Sequence, residues 1–372
     1  MFIERPVRVI VFAVVLVAIV AWTIASGTAQ QAGDYPNADL LASAEWLEQR
    51  AGDEGLVIVD VRNDKHFDGN VIPGAIRMPW GQFQTDDPVE RVGSVFVGVG
   101  RAQQLLGEHG IQRSDTVVLY DDVERDGGAT ASYIFWVLEY LGHENVHVLN
   151  GGIEAWQRAG FDTAEQPAER EPVTYQVAAE EIVRSRRIGG PQIYERLGDR
   201  YYQVLDVRSR DEYLGEVPST GWEGKTLKAG HVPGAFNLNH ENAWADSETK
   251  LLKSYDQLQR LYAGLDPTRA VVTYCYSGRR SSHTYFVLRL MGFSDVRVYD
   301  ESWKGWGNKW LYYPAETKEN VLQGAPVQGV SMQGVSMSRR HRMQPAAQPA
   351  DAGQPSGGDG GGGQSSYISC GG

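Results

Sequence analysis

One unit is written twice in this chain, and that duplication limits its fold more than any other feature. Leu56-Val-Ile-Val-Asp60-Val-Arg62 returns as Val204-Leu-Asp206-Val-Arg208. Val71-Ile72-Pro73-Gly74-Ala75 returns as His231-Val232-Pro233-Gly234-Ala235, after an insertion rich in Gly and Lys. Thr116-Val-Val-Leu-Tyr120-Asp121 is matched by Ala270-Val-Val-Thr-Tyr274-Cys275. Apolar, β-branched runs that stop abruptly at a polar residue predict buried parallel strands. Helical periodicity follows over Tyr133 to Leu141 and Tyr285 to Met291, closed by Gly142 and Gly292. Two more strand-like runs, Val146 to Leu149 and Val296 to Tyr299, lead into Gly152…Trp156 and Ser302…Trp306.

Strands alternating with helices predict an α/β chain of two domains, each a parallel sheet flanked by helices. The repeat places domain one at 34–163, a linker at 164–172 and domain two at 173–322. The segment from Asp162 to Pro172, rich in Glu and Pro, reads as exposed. From 323 to 372 periodicity is lost. Gln344 to Gly372 holds 9 Gly and 3 Pro with few bulky apolar residues, so it is expected to be a disordered tail. At the other end, Val9 to Ala25 carries no charge, and small residues follow it. Residues 1–33 therefore read as a signal peptide or an inner-membrane anchor, which predicts a periplasmic or otherwise extracytoplasmic protein.

A net charge of −12 argues against a nucleic-acid partner, because such partners select a basic footprint. Two cysteines exclude a disulfide scaffold and an all-cysteine zinc site, and the 8 His show no close pairing, so no metal is expected.

The cysteines have different settings. Cys370 lies in the tail and reads as an exposed thiol. Cys275 ends a buried strand and opens the loop Cys275-Tyr276-Ser277-Gly278-Arg279-Arg280 before a helix. Ligands of open α/β sheets bind at such strand ends. The helix N-terminus, Arg279 and Arg280 would all favour a thiolate there. Gly278 can take a positive φ, so the loop can curl into a nest of inward-pointing N–H groups. Burial of Cys275 as a small apolar residue would need neither the Gly nor the two Arg. His231 and His283 are the candidate bases of a Cys/His hydrolase, but a thiolate made by its own loop needs no imidazole. A cysteine phosphatase loop would place its Arg one residue further on than Arg280.

These motifs, in this order and duplicated, resemble the tandem rhodanese-type sulfurtransferases, the thiosulfate and 3-mercaptopyruvate sulfurtransferases, over residues 34 to 322. The resemblance implies two rhodanese-like domains, the second catalytic and the first silent, because Asp121 stands where Cys275 stands in the other copy. The loop after Asp121 is four residues longer, which is expected to spoil the tight nest. Catalysis would run through a Cys275 persulfide without a cofactor, with Ser277, Gly278, Arg279 and Arg280 holding a small anionic donor. The acceptor would be a thiol or cyanide. Arg208 carries the family's donor-binding role, or else a salt bridge to Glu212, or both. The Arg-Ser-Ser-His-Thr run after the loop favours thiosulfate as donor, although Tyr276 replaces the cation usual after the cysteine. 3-Mercaptopyruvate is the alternative donor, and a persulfide carrier serving a protein partner is the alternative function.

Overall fold

The computed structural model describes residues 34–125, 127–320 and 322. The apolar run Val9 to Ala25, the tail and Cys370 lie outside the described residues. Among the described residues, no helix is long and apolar enough to cross a membrane.

In chain order the first half contains β1 (Leu41–Ala42), α1 (Ala44–Arg50), β2 (Leu56–Asp60), β3 (Ile76–Arg77), β4 (Gln84–Asp87), β5 (Val92–Phe96), α2 (Val99–Glu108), β6 (Thr116–Tyr120), α3 (Ala129–Tyr140), β7 (Val146–Leu149) and α4 (Gly152–Arg158). The second half contains α5 (Gly190–Tyr194), β8 (Tyr202–Asp206), α6 (Arg210–Leu214), β9 (Phe236–Asn237), α7 (Tyr255–Leu261), β10 (Ala270–Tyr274), α8 (Arg279–Leu290), β11 (Val296–Val298) and α9 (Ser302–Trp306). The sheets run β1-β7-β6-β2-β3 and β11-β10-β8-β9, and every pair in them is parallel. The predicted strands and the α/β class are therefore found in both copies. The β4–β5 hairpin is antiparallel and stands apart from the sheets.

Side chains alternate across each strand, so each sheet buries two faces. One face of each domain has its own core: Ile58, Val118, Tyr120 and Trp156 in the first, Val272, Tyr274, Trp303 and Trp306 in the second. The other faces share one core, joined by α3 and α8. Both helices are buried nearly all round, α3 with a mainly apolar sequence and α8 with Ser281, Ser282, His283 and Thr284 among its buried residues. Phe135 meets Phe286 edge-on at 5.0 Å, and Glu139 accepts bonds from the Tyr285 hydroxyl and the Arg289 guanidinium.

The linker exposes its glutamates, as read, while its backbone is tied to domain one. The Ala168 N–H bonds the Ala75 carbonyl, Ala164 pairs with Val71, and Arg170 reaches Asp115 at 3.0 Å. Residues 173–183, assigned from the repeat to domain two, continue over domain one. Tyr175 is buried on His143, and the Val183 N–H bonds the Tyr140 carbonyl. The segment is thus a strap, with the backbone groups of Ala164, Ala168 and Val173 bonded to the domain beneath it.

Candidate active site

Cys275 is the first residue after β10, 1% exposed, at the mouth of a loop that leads into α8. Two opposing effects set the state of its thiol. Burial pushes the thiol up by disfavouring its anion. The Arg280 charge, the N–H groups of Ser281 and Ser277 and the Ser281 hydroxyl push it down, and the net shift is downward. The curled loop requires Gly278. Its φ is +89°, and a Cβ there would lie 3.1 Å from the Asp300 carbonyl oxygen and 3.3 Å from the Tyr133 ring.

The loop is fixed from below by a residue that the motifs did not single out. Ser302 Oγ accepts the Cys275 and Gly278 N–H groups at 3.1 Å each and donates to the Tyr299 carbonyl at 2.8 Å. It lies 4.0 Å from Sγ. Ser302 has φ +51°, costly for a residue with a Cβ, whereas the same repeat position in domain one is Gly152. A serine where the sister copy keeps glycine was the available signal. The next two N–H groups, of Trp303 and Lys304, bond the Cys275 and Tyr276 carbonyls at 3.0 Å.

The predicted cations separate into different roles. Arg280 makes two 2.8 Å bonds to Glu212, whose carboxyl is driven down to about 2. Burial opposes that shift, and the Arg280 bonds and charge outweigh it. Arg279 begins α8, half-buried, with its charge felt by buried His240. Arg208 does not pair with Glu212. Its guanidinium holds Asp206 at 2.5 Å and the Gly230 carbonyl at 2.8 Å, beneath Trp303. Arg62 of domain one repeats the arrangement with Asp60 and the Asn70 carbonyl. The same contacts recur in a copy that has Asp121 in place of Cys275, which points to a framework role for this arginine pair. Ser277 is buried, and its carbonyl accepts a 3.2 Å bond from Gln84 of the β4–β5 hairpin.

Neither histidine is a base for Cys275. His231 stacks on Tyr213 at 3.6 Å and bonds the Tyr213 carbonyl. His283 is buried and pushed down to about 4 by desolvation, with its ring against Gly128 of the other domain. Among the described residues, no group of three or more His, Cys, Asp or Glu side chains could hold a metal ion.

Domain one corrects a further expectation. Its longer loop still forms a nest, and the nest is filled. The Asp121 carboxylate accepts the N–H groups of Gly128, Thr130 and Ala131 at 2.9, 3.0 and 3.1 Å, and the Thr130 hydroxyl at 2.9 Å. A fixed carboxylate sits where the other copy presents sulfur.

The arrangement is an anion-stabilising loop around a thiol disposed to ionise, which equips a nucleophile to receive a soft atom. The rhodanese-like domain model matches residues 43–159 and 191–309. The thiosulfate sulfurtransferase of Corynebacterium glutamicum is 34% identical over 305 residues, covering 79% of this chain and 96% of that protein. An anaerobic ergothioneine biosynthesis enzyme from Chlorobium limicola, solved with trimethyl histidine, superposes with a TM-score of 0.65. It is 26% identical, and the match covers 76% of this chain and 71% of that one. With the model matched twice, once around each nest, the chain belongs to the rhodanese-like family as a tandem-domain sulfurtransferase.

Proposed function

We propose that this protein moves sulfane sulfur from thiosulfate to a thiophilic acceptor, such as cyanide or a thiol, through a Cys275 persulfide. The observation that carries the reading is the Cys275 thiol, shifted downward inside a nest of N–H donors. The thiolate attacks the outer sulfur of thiosulfate. A new S–S bond forms, the old one breaks, and its electron pair departs with sulfite. Cyanide then attacks the terminal sulfur, thiocyanate leaves, and the thiolate is regenerated. The Ser277 and Ser281 N–H groups point at the Cys275 sulfur, where they stabilise its anion. The name of the Corynebacterium relative supports thiosulfate as donor.

Cys275→Ser is expected to abolish thiocyanate formation from thiosulfate and cyanide, with ping-pong kinetics in the parent protein. Retained turnover in the variant would refute the assignment. Side-by-side assays with 3-mercaptopyruvate decide the donor. A persulfide that forms on thiosulfate but is discharged only by a protein would favour a carrier instead.

We also propose that the protein works outside the cytoplasm, on the strength of the uncharged run Val9 to Ala25. Cell fractionation should place the full-length protein in the periplasmic or membrane fraction, and recovery in the cytosol alone would refute this.

A further inference from the structure

We propose that Gln84 of domain one is a positioning residue for Cys275, holding the Ser277–Gly278 peptide of its loop from across the interface. The inference rests on the reading of Cys275 as the sulfur-accepting nucleophile and gives domain one a part in setting it.

Gln84 and Phe96 face each other as one rung of the β4–β5 hairpin. Both reach domain two. Gln84 Nε2 donates to the Ser277 carbonyl at 3.2 Å, and the Phe96 N–H donates to Asp300 Oδ2 at 2.9 Å. Ser277 belongs to the Cys275 loop, and Asp300 lies two residues before Ser302, which supports that loop from beneath. A single rung therefore touches both segments that shape the nest. The Ser277–Gly278 peptide is gripped at each end, its carbonyl by Gln84 and its N–H by Ser302 Oγ at 3.1 Å.

The grip matters because of what the neighbouring peptide does. A peptide is planar, so bonds at its carbonyl and at its N–H together fix its plane. Gly278, at φ +89°, has no Cβ to restrict the chain. Fixing the plane after Ser277 limits how far Ser277 can rotate. The Ser277 N–H, on the plane before it, is one of the groups that favour the thiolate. Slack in the Ser277–Gly278 peptide would let that N–H turn away from the sulfur.

The chemistry of the side chain suits this role. Its amide has two N–H groups, and the Ser94 carbonyl takes one at 3.1 Å. That bond lies within the hairpin and aims the amide before domain two is met. The side chain is neutral, so it acts on the sulfur through geometry, whereas Arg280 acts through charge. Nor is the Gln84 bond what joins the domains. α3 and α8 share one core, and Asn308 bonds the Glu90 and Arg91 carbonyls of the same hairpin.

The test uses full-length protein. Alkylation of Cys275 is followed against pH on its own peptide by mass spectrometry, so that Cys370 does not contribute. Gln84→Met keeps the length of the side chain and removes the donor. It should raise the alkylation midpoint by about half a unit, less than the loss of a whole hydrogen bond to an anion, because the Ser277 N–H is loosened and not removed. Sulfur uptake from thiosulfate below the midpoint should slow about threefold, the same shift read as thiolate fraction. Gln84→Glu loses the donor and adds a negative charge, and should raise the midpoint further. Asn308→Ala removes a different contact between the hairpin and domain two and should leave the midpoint in place. An unshifted midpoint in either Gln84 variant overturns the inference, and so does an equal shift in Asn308→Ala. A shift confined to the Gln84 variants, in a protein that takes no sulfur from thiosulfate, upholds it and refutes the proposed function instead.

Discussion

Burial by itself would keep the Cys275 thiol protonated, and the Arg280 charge is the foremost group that reverses it. Arg280→Gln should therefore raise the midpoint of Cys275 alkylation against pH by about one unit, the low end for removing an adjacent opposite charge. The same variant tests the Glu212 pair. The Glu212 carboxyl is held at about 2 against an ordinary 4.5, a depressed carboxylate pKa. Its contribution to stability is full above pH 4.5 and lost as pH falls toward 2. Denaturation midpoints measured from pH 6 to pH 3 should fall more steeply in the parent than in Arg280→Gln. Parallel curves would show that the pair carries no linked stability. At this scale the sequence made Cys275, Gly278 and Arg280 legible, because a nucleophile, a left-handed turn and a cation lie within six residues. The partner of Arg208 was not legible, because Glu212 four residues on and Asp206 two residues back are equally near in the sequence, and the fold pairs it with Asp206. Ser302 and Gln84 were missed, because each meets the loop from a remote segment.

The two nests are one element used twice. In domain two the strand–loop–helix unit of β10 and α8 presents sulfur, whereas in domain one the unit of β6 and α3 binds its own Asp121. That carboxylate works as a helix cap set back by the longer loop, satisfying three N–H groups of a buried N-terminus. Asp121→Ala would leave them without a partner. It should cost about 2 to 3 kcal/mol in chemical denaturation, typical of losing a buried charged acceptor, while Cys275 keeps its alkylation profile. Unchanged stability would mean that water replaces the carboxylate at no cost. The strands and helices of these units were readable because burial imposes its period on each copy. The filled nest was not, because a longer loop reads as disruption until its N–H groups are seen to converge.

At the scale of the molecule, domain one reaches into domain two through the β4–β5 hairpin. Gln84 Nε2 donates to the Ser94 and Ser277 carbonyls, and the Phe96 N–H donates to Asp300 Oδ2 at 2.9 Å. Asn308 answers from domain two by bonding the Glu90 and Arg91 carbonyls. The Cys275 loop is therefore held from both sides, by Ser302 beneath and by Gln84 across the interface. Tyr133 of α3 packs on Gly278, and His283 of α8 packs on Gly128, so each central helix lends a ring to the opposite nest.

The sequence alone determined the α/β class, the two copies, the place of Cys275 at a strand end before a helix and the absence of a thiol from copy one. These follow from local periodicity and from residues adjacent along the chain. The tertiary structure decided which cation pairs with which carboxylate, that the strap after residue 163 packs on domain one, and that the hairpin meets the Cys275 loop. Those contacts join residues up to about two hundred positions apart, such as Gln84 and Ser277. They depend on how α3 and α8 share one core, a global packing solution that no local pattern encodes.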